Sequence, residues 1–365
     1  MSIIPEVYHV RDHLAQLIVS PRAHAGGTEL HNAFRWLRAS NPVGRVETGG
    51  FDPFWAITKH ADIVEASRQS DLFHSGDKGT MASHGGGCDF ARDVAFHYPL
   101  RVVMGVLGLP AEYEAFLLKL IQEIFGVDDE DLRRDARSIG APEEQVSQRM
   151  DTLADCRSYF EQVTNTRRSA LYYDFASAIA DANVDGALIQ NSEATNYYVA
   201  IMSAGHETTS SPISGAIWAL CERPDELRSV MADRSLVLGL VEEAVRFTSP
   251  VGHIMRMATA QISLRGRVIA KGDRLMLCYP SGNRDEEVFD DADEFRVDRG
   301  AVRHRAFRSG ARTCLGQHLA RVEMRIFFEE LLARLEHIEL AGLPRRSASI
   351  FVSGPKNVPI RYRMH

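Results

Sequence analysis

The sequence predicts a mainly α-helical fold with a smaller β region, laid out as one domain over residues 1–365. Three observations carry this. Apolar residues recur at helical spacing along most of the chain, and apolar–polar alternation gathers in one stretch, about 257–280. No Pro/Gly/Ser-rich linker, internal repeat or low-complexity tract marks a boundary.

Taken in order, short helical stretches surround a strand-like segment near Phe54–Thr58. Residues 111–126 have helical spacing and end on Gly126, a natural helix stop. The longest periodic segment, about Ser192–Cys221, would span roughly 45 Å as a helix. Its apolar residues, among them Tyr197, Tyr198, Met202, Ile213 and Trp218, lie on more than one face, so it should cross the interior. A helix over about Leu236–Thr248 must stop before Pro250. Alternation from Gln261 and a turn at Lys271–Gly272 mark the β-rich stretch. A last helix, about Leu315–Leu335, repeats Leu319, Val322, Ile326 and Leu332.

A chain of 365 residues, 45% hydrophobic and 25% charged, can bury a large core. The net charge of -7, without a basic stripe, speaks against nucleic acid as a partner. The N-terminus lacks a basic region followed by an apolar core, and no apolar run approaches ~18 residues. A cytoplasmic protein without a membrane span is expected. The five cysteines, Cys88, Cys156, Cys221, Cys278 and Cys314, are widely spaced and form no CxxC pair, against a disulfide framework or a zinc site. Most are expected as small buried hydrophobes.

Cys314 stands apart. The decapeptide Phe307–Gly316 reads FRSGARTCLG and places the cysteine just before a predicted helix, where free N–H groups favour a thiolate. Gly310 and Gly316 allow a tight turn and close approach to a flat ligand, and Arg312 adds a cation. A second motif, AGHETT over Ala204–Thr209, falls in the middle of the long helix. Ala204 and Gly205 leave room for a ligand, and the Thr208 hydroxyl can turn onto an upstream carbonyl and distort the helix. Alone, these six residues would equally suit a cap or a solvated face. Third, Glu243 and Arg246 share a helix face at i, i+3.

The FxxGxRxCxG pattern of Phe307–Gly316 resembles the haem-binding loop of the cytochrome P-450 superfamily. Together with AGHETT and the Glu243–Arg246 pair, the resemblance runs from about residue 28 to 365. The chain is most similar to the bacterial α-terpineol-hydroxylating subfamily, through stretches such as AFRWLR from Ala33, QHLA from Gln317 and GPKNVPIR from Gly354. That resemblance implies the cytochrome P-450 fold, a single triangular domain with a long central helix. It implies heme b (iron protoporphyrin IX) as cofactor, with the Cys314 thiolate as iron ligand favouring O–O cleavage. Phe307, Gly310, Arg312, Gly316 and Ala204 would complete the haem site, and Arg256 and His304 would bind its propionates. Glu207 and Thr208 would be catalytic, delivering protons during oxygen activation. Glu243 and Arg246 would be structural, tying their helix to the segment Asp293–Arg299, and His206 would pack. The implied reaction uses O2 to hydroxylate a small hydrophobic substrate, a terpene or aromatic hydrocarbon. Electrons would come from a [2Fe-2S] ferredoxin and its NAD(P)H-dependent reductase.

Other readings are weaker on the same residues. A peroxide-driven peroxygenase would not need the Glu207–Thr208 relay. A non-catalytic haem sensor or carrier is the main alternative, and a hydrolase using Cys314 and His318 lacks an orienting acid.

Two departures from the pattern stand out. Only 12 residues separate Ser75 from Cys88, where the pattern has a loop over the substrate and a helix with basic residues. We expect the sequence to step over a mobile segment of roughly 60 residues, leaving consecutive Cα atoms much more than ~3.8 Å apart within Gly85–Cys88. Arg308 stands where many relatives carry glycine. With Arg303, Arg305, Arg312, Arg321 and Arg325 it makes the loop basic, a face suited to steering an acidic ferredoxin. Tyr198, Met202 and Ala204 are the lining candidates on the long helix.

Overall fold

Helices Asp12–Val19 (α1) and Thr28–Ser40 (α2) pack their apolar faces together, and strands Val43–Val46 (β1) and Phe54–Ile57 (β2) pair antiparallel beside them. Leu14, Ala15, Ile18, Ala33, Leu37 and Val46 form the resulting core. The strand expected near Phe54 is β2. The computed structural model describes residues 9–20, 23, 28–49, 53–59, 61–62, 85–126, 129–132, 142–170, 172–300 and 303–365. It divides into two compact units, Met1–Gly86 with Tyr362–His365 and Gly87–Arg361. Nothing in the sequence marks this division except the shortened stretch between Ser75 and Cys88. Strand Gly85–Asp89 (β3) runs unbroken, so the interruption expected within Gly85–Cys88 is not found, and residues 63–84 lie outside the described residues.

The Gly87–Arg361 unit is helical in the main. Helices His97–Leu107 (α3), Glu114–Phe125 (α4), Pro142–Ser169 (α5) and Phe175–Ala180 (α6) surround a 32-residue helix, Asn191–Glu222 (α7). Leu100, Val103, Met104, Leu117, Phe160 and Tyr198 anchor their shared core. α7 is the long helix that the apolar pattern predicts, and most of its C-terminal half is buried on all sides. Gly205 brings α7 close to α3, since a Cβ there would meet Val103 Cγ2 at 2.6 Å. The glycine therefore serves helix packing and not, as expected from the motif, the approach of a ligand.

Pro224–Ala232 (α8) and Val237–Thr248 (α9) follow, and α9 ends on Ser249 before Pro250. The β region begins earlier than expected. Strand His253–Met257 (β4) pairs antiparallel with Arg274–Cys278 (β7), around a hairpin of Ile262–Leu264 (β5) and Arg267–Ile269 (β6). The loop ahead of the last helix, Gln317–Arg334 (α10), carries Cys314.

Candidate functional site

Two groups of candidate residues emerge in the Gly87–Arg361 unit, one on the Cys314 loop and one on the middle turn of α7. The loop folds back on itself through backbone hydrogen bonds. Cys314 N–H donates to the Phe307 carbonyl at 2.9 Å, and Thr313 N–H donates to the Gly310 carbonyl at 3.1 Å. Gly310 takes a left-handed φ of 69°, which favours glycine. Gly316 takes no such angle, and a Cβ there would meet nothing within 4 Å, so its surroundings are open. Cys314 is half-buried just ahead of α10, on the side where the helix dipole favours negative charge, and Leu315 beside it is 97% exposed.

The loop is braced from α9 and α10. The Arg321 guanidinium lies 4.5 Å over the Phe307 ring, and the His304 ring flanks it at 5.4 Å. Glu242 accepts hydrogen bonds from Arg321 at 2.6 and 3.1 Å and from His304 Nε2 at 3.2 Å. Burial works against its charge, but these two partners hold its carboxyl down at about 2. His304 Nδ1 accepts from Ala306 N–H, so both ring nitrogens are engaged, and a haem propionate at His304 would have to displace one of these bonds. Arg321 is likewise paired with Glu242, which offsets its charge. Glu242 is the bracing residue that sequence reasoning missed. Its signal was its place beside Glu243, because adjacent helical residues face different partners.

Glu243 and Arg246 are fully buried and bidentately paired at 2.7 and 2.8 Å. Arg246 also donates to the carbonyls of Asn283, Ala292 and Glu294, while Glu243 accepts from the Arg296 N–H and from Arg299. The pair thus ties α9 to the segment before the loop, as the family resemblance implied.

On α7, Thr208 Oγ1 donates to the Ala204 carbonyl at 2.6 Å. Pro212 lies four residues after Thr208 and has no N–H, so the Thr208 carbonyl loses its helical partner. The helix is therefore weakened on both sides of this turn. Ala204 is exposed and Thr208 half-buried, while Glu207 and His206 are buried. Tyr198 and Met202 are core residues, Tyr198 donating its hydroxyl to the Ala176 carbonyl at 2.7 Å. Of the three lining candidates only Ala204 is open.

Burial pushes the Glu207 carboxyl up to about 7. Burial also lowers His206 to about 4, so the imidazole is neutral at pH 7. Its Nε2–H donates to the Phe96 carbonyl, leaving Nδ1 buried without a partner, 3.6 Å from Glu207. Because the folded-state value of Glu207 is raised, its contribution is fully present below about 4.5 and is lost as pH rises through about 7. Glu207→Gln should then leave stability unchanged at pH 4 and raise it by up to ~3 kcal/mol at pH 8. Urea denaturation at the two pH values checks this, and equal shifts at both would refute the buried-acid assignment.

Arg256 of β4 and Arg305, Arg308 and Arg312 of the loop line a cavity of about 400 Å³, with Leu277 and Cys278 in its wall. The sequence-predicted residues Arg256 and Arg312 are thus brought together.

With this geometry in place, comparison with known proteins assigns the family. The sequence profile described as Cytochrome P450 matches residues 138–358. Cytochrome P450-terp of a Pseudomonas species is 38% identical over 419 aligned positions, covering 97% of this chain and 98% of the relative. That alignment is longer than the 365-residue chain, so the relative has dozens of positions without a counterpart here. Linalool 8-monooxygenase of Pseudomonas putida is 29% identical over 394 positions, covering 90% of this chain and 95% of the relative. The crystal structure of CYP108D1 from Novosphingobium aromaticivorans matches with a TM-score of 0.68 at 32% identity, covering 98% of this chain and 100% of that one. The fold and the relatives define a haem-binding monooxygenase. The chain belongs to the cytochrome P450 family, and its cofactor is haem b. The residues present fit that group: a thiol at a helix start, open space at Gly316, exposed Leu315 and Ala204, and cationic Arg256 and Arg312 on one cavity. Among the described residues no helix is long and apolar enough to cross a membrane.

Proposed function

We propose that this monooxygenase hydroxylates a small terpene, drawing electrons from a [2Fe-2S] ferredoxin with an NAD(P)H-dependent reductase. The observation that carries the oxygen-activating part is the turn Ala204–Thr208 of α7, with a half-open hydroxyl next to a buried acid. Two relatives, Cytochrome P450-terp and linalool 8-monooxygenase, support the substrate class by their names. Haem, when bound, would supply the oxygen chemistry; Cys314 would hold it as thiolate ligand and Arg256 and Arg312 would meet its carboxylates. Glu207, with its carboxyl raised to about 7, is still about half protonated at neutral pH and so holds a proton available for transfer. Thr208 can exchange its bond to the Ala204 carbonyl for one to a bound ligand, donating its own hydroxyl proton there, with Glu207 as the acid that would replace it. The exposed Ala204 leaves space for the ligand beside that hydroxyl.

The relay has a direct test. Thr208→Ala should lower product formed per electron consumed by about tenfold or more, while substrate affinity stays within twofold. Unchanged coupling would remove Thr208 from the relay and favour a peroxygenase. Spectral titration with monoterpene alcohols and with polycyclic aromatics tests the substrate class, and binding of the aromatics alone would overturn the terpene assignment.

A further inference from the structure

The cavity beside the cysteine loop is lined by four arginines and by no acidic residue. Arg256 reaches only the neighbouring Met255 carbonyl, at 2.9 Å. Among the described residues, no carboxylate pairs with Arg256, Arg305, Arg308 or Arg312. Four cations around one cavity repel one another, and an anion between them is what relieves that repulsion.

Arg308 sharpens the point. Its φ is 63°, in the left-handed region where a side chain is strained and glycine is at ease. Gly310, two residues on, takes nearly the same angle with the residue type suited to it. An arginine kept at a strained backbone position, on a cavity lined by three others, points to a role in binding. The loop that carries these charges also presents Cys314: Arg312 is two residues away, and Arg308 follows the Phe307 carbonyl that accepts the Cys314 N–H. A flat dianion held at the thiol would have its acidic edge within reach of this loop.

We infer that Arg305 and Arg308 bind the carboxylates of the haem alongside Arg256 and Arg312, forming a four-arginine clamp. This rests on the haem–thiolate reading of Cys314. Removing any one of these charge-assisted hydrogen bonds should speed haem release by about tenfold.

Holoprotein mixed with excess apomyoglobin reports the rate of haem loss. Arg308→Gly, which relieves the strained φ and so should fold at least as well, is expected to lose haem about tenfold faster, and Arg305→Gln similarly. In protein reconstituted with haem dimethyl ester, which lacks both carboxylates, neither substitution should change the rate. Unchanged haem loss in both variants, or the same acceleration with the ester, would overturn the clamp. The carbon-monoxide spectrum separates the two levels. A red-shifted Soret band with unchanged haem loss sinks the clamp alone, and absence of that band sinks the thiolate reading beneath it.

Discussion

Arg246→Met should cost the fold about 3–5 kcal/mol, a large share of the ~5–15 kcal/mol that holds a domain together. The loss has two sources. Glu243 would lose its bidentate partner while 0% exposed, although Arg299 at 3.0 Å would still offset part of its charge. The larger source is the backbone. The carbonyls of Asn283 and Ala292 would lose donors at 2.6 and 2.8 Å, and that of Glu294 a donor at 3.0 Å. A buried acceptor left without a partner costs ~1–3 kcal/mol. For that reason the double substitution Glu243→Leu with Arg246→Met should recover only part of the loss, because the carbonyls stay unpaired. Urea denaturation measures both proteins. A shift under ~1 kcal/mol for the single substitution would mean that water or a neighbour replaces the guanidinium, and that the pair does not fix the loop's approach.

How much of this was legible in the sequence depends on the range of the interaction. The long helix was readable, because apolar residues on more than one face over some thirty positions suit a helix that crosses the interior. Its bounds, Asn191–Glu222, fall within a residue of the expected ones. The helix Pro142–Ser169 escaped notice: only Cys156, Tyr159, Phe160 and Val163 of its described residues form an apolar buried stripe, and its first half is polar. At the site, the backbone turn of FRSGARTCLG and the pairing of Glu243 with Arg246 followed from spacing. The roles of His304 and Arg321 did not. Both are decided by Glu242, more than 60 positions upstream, and no local pattern announces that the helix would aim this acid at the loop. Gly205 shows the same limit, since a small residue suits a ligand and a close helix packing equally well until Val103 is seen beside it.

Cys314→Ser should abolish the red-shifted Soret band of the reduced, carbon-monoxide-bound protein and take hydroxylation to background, while leaving the fold intact. The loop's shape does not depend on the sulfur. Its closing hydrogen bonds run from the Cys314 and Thr313 N–H groups to the Phe307 and Gly310 carbonyls, and serine retains all of them. A half-buried side chain of nearly the same size should change stability by under ~0.5 kcal/mol. Thiolate donation is another matter, because a serine hydroxyl is a far harder ligand and stays protonated at neutral pH. The structure also contains a rival thiol. Cys278 is exposed at the end of β7 and lines the same arginine-rich cavity, its Sγ lying 3.9 Å from the Met276 carbonyl. As an exposed thiol on the cavity that also holds Arg256 and Arg312, it is the alternative ligand to test. What argues for Cys314 is the length of the helix behind it: α10 starts three residues later and runs for 18 residues, whereas Cys278 precedes only the four-residue helical turn Tyr279–Gly282, whose dipole is far smaller. Cys278→Ser is therefore the decisive control. Loss of the band in that protein, with the band kept in Cys314→Ser, would move the iron ligand to Cys278.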